Sequence, residues 1–335
     1  MLYYIPPELI NEIAHHILDN APSRHEHPEA LGHNLKPPWN FIQSFTLTCR
    51  EFRLIGLALW FRQLYIASSE DLKAIELHFP VLKSSWCRHL HFVQEKDNEV
   101  TPWDLAGFMR LSSLRIDWLC IGMSDVGDGD PPFVINVESK IRELDIRGVR
   151  HPSPMLLMSL VSPFDDLIIL RLDLLRIWCG LCNTCILVRL PSPPPTTISY
   201  ADGLGLPYHY TRFLFPLDAL EEVYIRLPDF GLGLPTPGLS DQVNDNLWSG
   251  ECDRCMSLMY EDDTFRIAWV NRKKGVQPGN LDKWSPYLIP PRLRKVRWAF
   301  WKISGLAEGM PFSLEEVDSE EDAVSEEESD GEGEE

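Results

Sequence analysis

The chain lacks any run approaching the roughly 20 consecutive apolar residues that a membrane helix needs, so no membrane partner is expected. It also lacks a basic surplus: 31 Lys and Arg face 50 Asp and Glu, which argues against nucleic acid as a partner. Eight cysteines in 335 residues are too few for a disulfide scaffold, and paired cysteines in a reducing compartment are more often metal ligands or catalytic groups. The opening MLYYIPPELINEIAHH has neither a basic segment nor an unbroken apolar core, so no secretory leader is expected. A cytoplasmic or nuclear location is expected. Nucleophile elbow, phosphate loop, zinc-protease helix and kinase motifs are all missing. The two GLGLP segments (203–207 and 231–235) have no third Gly, and their Pro blocks a helix at the phosphate position. No catalytic residues are expected.

The acidic charge is concentrated at one end. Residues 315–335 hold thirteen Asp or Glu and no Lys or Arg, which leaves 37 acids against 31 bases before them. SLEEVDSEEDAVSEEESDGEGEE cannot bury enough apolar surface to fold and is expected to be a disordered tail over 312–335. Acids follow Ser319, Ser325 and Ser329, so the tail reads either as a substrate for acidophilic kinases or as a solubilising extension.

At the other end, IPPELINEIAHHILDN predicts a helix. Pro6 and Pro7 suit its first turn, and Leu9, Ile10, Ile13, Ala14, Ile17 and Leu18 share one face. A Pro- and His-rich loop at 20–39 follows, and helical patterning returns from Phe41 to Leu64. On periodicity alone this is either a docking module or a helical cap on a larger domain. IPPELINEIAHHIL with LTCREFRLIGLALWFRQLYI resembles the F-box, whose motif is L-P-x-E-L-x-x-x-I and then a hydrophobic-Cys-x-x-aromatic stretch closed by L-W/F. Pro6, Glu8, Leu9 and Ile13 match its first half, and Cys49, Phe52, Leu59 and Trp60 its second. Ile5 replaces the usual Leu, and the 20–39 loop is an insertion. The resemblance implies docking on the Skp adaptor of a cullin–RING ubiquitin ligase (SCF), with Pro6, Pro7, Glu8, Leu9, Ile10, Ile13, Cys49, Phe52 and Trp60 as adaptor-binding residues.

From residue 80 onward, short apolar segments recur: RHLHFV (88–93), SSLRIDWL (112–119), IRELDIRG (141–148), LIILRLDLL (167–175), LEEVYIRL (220–227) and LRKVRWAFW (293–301). Their starts lie 24, 29, 26, 53 and 73 residues apart, the last two near double and triple the period. The L-x-x-L-x-L character and the period match degenerate leucine-rich repeats, one strand per unit; a β-sandwich is the alternative. In F-box proteins of this architecture the strand row commonly holds the degradation substrate, here an unknown protein. Asp117, Arg147, Asp173 and Arg226 are candidate contacts, though alternating charges also mark the solvated side of any strand.

WCGLCNTC (178–185) and WSGECDRC (248–255) both fit W-x-G-x-C-x-x-C. Redox chemistry would require a helix after the first pair, yet ILVRLPSPPPTT follows it, and Ser249 stands where the attacking Cys belongs. Two C-x-x-C turns suit tetrahedral Zn²⁺, with Cys182, Cys185, Cys252 and Cys255 as ligands, Cys179 left over, Gly180 and Gly250 in the turns, and Trp178 and Trp248 as shields. Four free thiols are the other reading. YEDDTFRIAWVNRKKG (260–275) predicts one exposed helix, with Glu261, Asp262 and Asp263 capping its first turn. The stretch 247–275, with PPRLRKVRWAFWK, looks like the C-terminal part of many F-box proteins of mushroom-forming fungi.

The expected organisation is α/β: a three-helix F-box over 1–68, an irregular leucine-rich-repeat-like open strand/helix solenoid over 69–311, and the tail. The expected function is a non-catalytic substrate receptor of a ubiquitin ligase. The alternative is a zinc-stabilised interaction scaffold without a ligase role.

Overall fold

The computed structural model describes residues 5–22, 31–94, 105, 107–119, 140–149, 152–179, 181–182, 184–188, 190, 197–201, 205–229, 239–245, 247–273 and 290–302. The acidic tail, residues 23–30 of the first loop, Gly180, the 191–196 proline tract, residues 203–204 of the first GLGLP segment and all of the second lie outside them.

Three helices open the chain: α1 (Pro7–Asp19), α2 (Trp39–Thr46) and α3 (Arg50–Trp60). Pro6 is the N-cap of α1 and Pro7 its first residue, where the missing N–H costs nothing. The six-residue apolar face of α1 divides. Ile10 and Ala14 are buried against Ile42 and Phe45 in a small core, flanked by Ile17, Leu18, Phe52, Leu59 and Trp60. Leu9 and Ile13 instead remain 49% and 47% exposed. A helix so short, packed mainly on α2 and α3, covers one side of its stripe and no more.

The remaining described elements are β1 (Gln63–Ile66), α4 (Ser69–His78), a single π-helical turn (Leu82–Trp86), β2 (His89–Gln94), β3 (Ser113–Trp118), β4 (Glu143–Val149), α5 (Pro154–Val161), β5 (Ile169–Leu174), β6 (Ile177–Trp178), β7 (Cys185–Ile186), β8 (Thr197–Ala201), α6 (Tyr208–Leu214), β9 (Glu222–Asp229), α7 (Leu239–Asn244), α8 (Asp253–Glu261), α9 (Asp263–Lys273) and β10 (Lys295–Lys302). Eight strands form one sheet in the order β1-β2-β3-β4-β5-β9-β10-β8. Every pairing is parallel except that of β8 with β10. All six recurring segments of the sequence are strands of this sheet, and β1 extends the row at its start. Among the described residues there is no second large sheet facing it, so the β-sandwich alternative falls.

Register follows the apolar pattern. Leu64, Leu90, Leu114, Leu144, Leu170, Val223 and Val296 form one ladder across seven strands, and each is at most 3% exposed. Sliding any strand by one residue would turn these side chains to the opposite face. The entry to each strand is fixed by a repeated backbone bond, as in Ser112 N–H to Arg88 O, Arg142 N–H to Ser112 O and Ile168 N–H to Arg142 O, all 2.8 Å. On the core side of the sheet, α5 and α6 contribute Leu157, Leu160, Tyr210 and Leu214 to the main cluster.

The opposite face is polar and falls into two halves. Over β1–β3 the chain around Gly32 crosses it: the Gly32 N–H donates to Asp117 Oδ2 at 2.8 Å, and the Tyr65 hydroxyl donates to the Gly32 carbonyl at 2.7 Å. Gly148 admits this crossing. It has φ +79°, and a Cβ there would lie 2.4 Å from the Trp118 carbonyl oxygen and 3.1 Å from the Leu31 side chain. Beneath the crossing, Asp117 is fully buried, receives two bonds from the Arg115 guanidinium at 2.7 and 2.8 Å, and lies 3.0 Å from His91 Nε2. Burial pushes the Asp117 carboxyl up, but the hydrogen bonds and charges of His91 and Arg115 hold it well below the usual carboxylate range. From β4 to β10 the face is an open cleft.

Of the four residues expected as exposed contacts, Asp117 is therefore buried, and Arg147 is 9% exposed and bonded to Asp145 at 2.8 Å. Asp173 is largely covered, and only Arg226 is openly accessible, with 40% of its side chain exposed. The helix expected over 260–275 is two helices. Asp262 separates them, its carboxylate accepting from the N–H groups of Thr264 and Phe265 at 2.9 and 3.1 Å. Asp262 thus caps α9 as expected, while Glu261 ends α8 and caps nothing.

Candidate metal centre

The two long gaps in the strand rhythm hold the two cysteine pairs. In the first, β6 and β7 pair antiparallel, Trp178 opposite Cys185, and the Cys179 N–H donates to the Thr184 carbonyl at 2.8 Å. Cys179 and Cys182 therefore sit at the tip of a small hairpin. In the second gap Cys252 is the N-cap of α8, and Cys255 lies in its first turn. Gly250, at φ +92°, lets the chain turn into that helix, and its α-carbon faces the Trp298 ring. The preceding turn is locked by the buried Glu251 carboxylate, which accepts from Ser249 N–H at 2.6 Å and Ser249 Oγ at 2.9 Å.

Hairpin tip and helix start meet. The sulfurs of Cys179, Cys182, Cys252 and Cys255 all lie within 4.8 Å of one another, and those of Cys182 and Cys252 are 3.6 Å apart. Zn–S bonds of about 2.3 Å in a tetrahedron set the sulfurs roughly 3.8 Å apart, so a modest contraction of the cluster encloses an ion of that size. Backbone amides already point at the sulfurs. Leu181, Cys182 and Cys252 N–H donate to Cys179 Sγ at 3.4, 3.5 and 3.3 Å, and Cys255 N–H donates to Cys252 Sγ at 3.4 Å. Such bonds favour thiolates, the form that binds metal. Cys252 shows this: bonds from the Cys179 and Cys255 thiols and from an amide draw it down to about 4 against its burial. Cys255, held by hydrogen bonds with the Cys179 and Cys252 sulfurs and by burial, moves up.

The cluster differs from the expected ligand set in one member. Cys182, Cys252 and Cys255 belong to it, Cys179 replaces Cys185, and Cys185 stands outside. Cys185 lies on a strand of the hairpin, not on its tip, and burial pushes its thiol up to about 12. The aromatic shields are also reassigned. Trp178 and Trp248 belong to the main core, Trp248 packing on Trp298 with ring centroids 5.0 Å apart. Leu181 and Ile186 cover the sulfurs instead. Sequence reasoning missed His209, whose Nε2 lies 3.1 Å from the Cys182 carbonyl and tethers the hairpin tip to α6. A lone His thirteen residues after the 191–196 proline tract gave no signal for that contact.

The residues expected to bind an adaptor also separate. Pro6, Pro7, Glu8, Leu9, Ile13 and Cys49 are exposed. Ile10 is buried, Phe52 stacks on Phe45 at 4.8 Å, and Trp60 donates to the Pro37 carbonyl at 3.1 Å beneath the Lys36 ammonium. Those three side chains hold the helical bundle together. No helix among the described residues is long and apolar enough to cross a membrane. No known family, curated protein or solved structure matches the chain.

Proposed function

We propose that the chain is an F-box substrate receptor: α1–α3 dock on the Skp adaptor of a cullin–RING ligase, and the parallel strand row, read as a leucine-rich-repeat-like solenoid, presents a target protein in the cytoplasm or nucleus. The observation that carries this reading is the uncovered ridge of α1. Leu9 and Ile13, four residues apart on α1, are 49% and 47% exposed, and Ile5 just before the helix is 44% exposed, so the three-helix core leaves one apolar flank of its first helix in water, and a partner surface is the usual remedy. Ile10, Phe52 and Trp60 serve the role indirectly, by fixing the helix that carries the ridge. No chemistry is assigned to the chain itself.

Co-expression with the adaptor tests the proposal. Wild type should co-purify stoichiometrically, and a Leu9→Lys, Ile13→Lys double variant with an unchanged melt should not. Wild type that folds and fails to bind would end the reading.

The thiol cluster favours a second statement, compatible with the first or able to stand alone: Cys179, Cys182, Cys252 and Cys255 hold a structural Zn²⁺ that joins the two insertions. In the absence of adaptor binding, the chain is then a zinc-stabilised interaction scaffold.

A further inference from the structure

The open half of the polar strand face is a cleft of about 480 Å³ between β4 and β10. Four guanidinium groups line it, from Arg147, Arg171, Arg226 and Arg297, against the carboxylates of Asp145 and Asp173. Two of the four are spent: Arg147 is bonded to Asp145, and Arg171 is paired with Glu143. The other two are held more loosely. Arg226 reaches Asp173 only at 3.6 Å. Arg297 rests against the Tyr224 ring, 5.7 Å from its centroid, and its buried Nε has no hydrogen-bond partner among the described residues. A planar donor group left in this state, on a concave surface, is suited to carboxylates.

The chain supplies such carboxylates close by. β10 carries Arg297 and ends at Lys302, and its Ala299 is in register with Arg226. From Lys302, Arg226 is three residues back and one strand across, and Arg297 five residues back, distances of roughly 11 and 17 Å at ordinary strand rise and spacing. Twelve residues then separate Lys302 from Glu315, where the run of thirteen acids begins. Twelve residues, if they ran as a random coil, would have a root-mean-square span of about 19 Å. Span and distance match, which is the condition for a high effective concentration of a tethered ligand.

We propose that the acidic segment 315–335 is the occupant of this cleft, its carboxylates pairing with Arg226 and Arg297. The tail is then a built-in competitor: any partner using the same half of the strand face must displace it. The proposal does not depend on adaptor docking.

The test keeps the whole chain. The thirteen tail acids are replaced by Asn or Gln, and a labelled peptide of residues 314–335 is titrated into this neutralised chain and into wild type, followed by fluorescence anisotropy. The neutralised chain should bind the peptide, and wild type, its cleft already filled, at least about tenfold more weakly. Binding should fall steeply at about 0.5 M salt. Arg226→Gln with Arg297→Gln in the neutralised chain, checked for an unchanged melt, should weaken binding about tenfold or more. Absence of binding to the neutralised chain, or binding undiminished by the arginine changes, overturns the site. Equal binding by neutralised chain and wild type overturns the tail as occupant and points to an acidic segment of another protein.

Discussion

Exchanging one cysteine at a time for serine separates the two ligand assignments. Cys179→Ser removes a sulfur from the cluster, whereas Cys185→Ser changes a thiol on a hairpin strand whose burial holds it protonated. If zinc joins the two insertions, it closes a loop of 70 residues between Cys182 and Cys252. Loop-closure entropy for that length is worth roughly 4 kcal/mol. Unfolding entropy of about 2.1 cal/mol/K per residue over this chain converts that into a melting shift of about 6 °C, a floor on what the metal contributes, since the coordination bonds add to it. Purified wild type should therefore carry close to one equivalent of zinc and lose about 6 °C or more in a strong chelator. Cys179→Ser should be metal-poor and melt like chelated wild type, and Cys185→Ser should keep both metal and melt. Cobalt substitution adds a spectroscopic check, because four thiolates in a tetrahedron give intense visible bands that a site with one oxygen does not reproduce. Cys185→Ser losing the metal while Cys179→Ser keeps it would refute the assignment. Wild type holding less than half an equivalent, with a chelator-insensitive melt, would refute the site.

Two further outcomes concern the polar face. Asp117→Asn leaves the buried Arg115 guanidinium without its counter-charge and weakens the anchor for Gly32, so urea unfolding should show a loss of about 3–5 kcal/mol; a loss under 1 kcal/mol would contradict the buried network. Asp173 works in the opposite sense: burial raises its carboxyl to about 6, opposed by Arg226 and Arg147 and assisted by the charges of Asp145 and Asp117. The folded chain then binds the extra proton between about pH 4 and 6, so Asp173 removes stability as pH rises through that window, by up to about 3 kcal/mol. Asp173→Asn should flatten this part of the stability–pH profile, and an unchanged slope would show that Asp173 titrates normally.

The strand row was legible because its signal is redundant. A leucine or valine recurs at the same place in each segment, flanked by alternating residues, and a parallel sheet buried under helices needs just that ladder. The cysteine register was harder. Cys179, Cys182 and Cys185 contain two overlapping C-x-x-C pairs, and the resemblance to WSGECDRC selected the later one. What decides between them is the hairpin, which places Cys179 and Cys182 at its tip and Cys185 on a strand, and a two-residue strand leaves almost no periodic trace in sequence. The polar contacts failed for a different reason. Alternation correctly put Asp117 on the face away from the core, but nothing local to β3 reveals that the chain around Gly32, 85 residues earlier, crosses above it. Likewise the apolar face of α1 was visible as a whole, while its division into a buried and an exposed flank depends on how many neighbours the helix meets.

The meeting of two cysteine pairs 70 residues apart follows from where the insertions occur. β5, β9 and β10 are adjacent and parallel, so the chain must cross over the sheet between β5 and β9 and again between β9 and β10. Parallel crossovers share one hand, and successive ones therefore return on the same side. Both crossovers are longer than the 24–30 residues that separate the matched positions of β2, β3, β4 and β5, and the surplus of each cannot lie flat on strands already covered. The first holds the β6–β7 hairpin and β8, which adds to the sheet edge beside β10, and the second holds α7, α8 and α9; the hairpin tip and the start of α8 meet at the four sulfurs. Each insertion is too small to bury a core of its own. The four thiols lie where the two touch, so a metal at that point would join the insertions directly to each other, beside the contacts each makes with the main core.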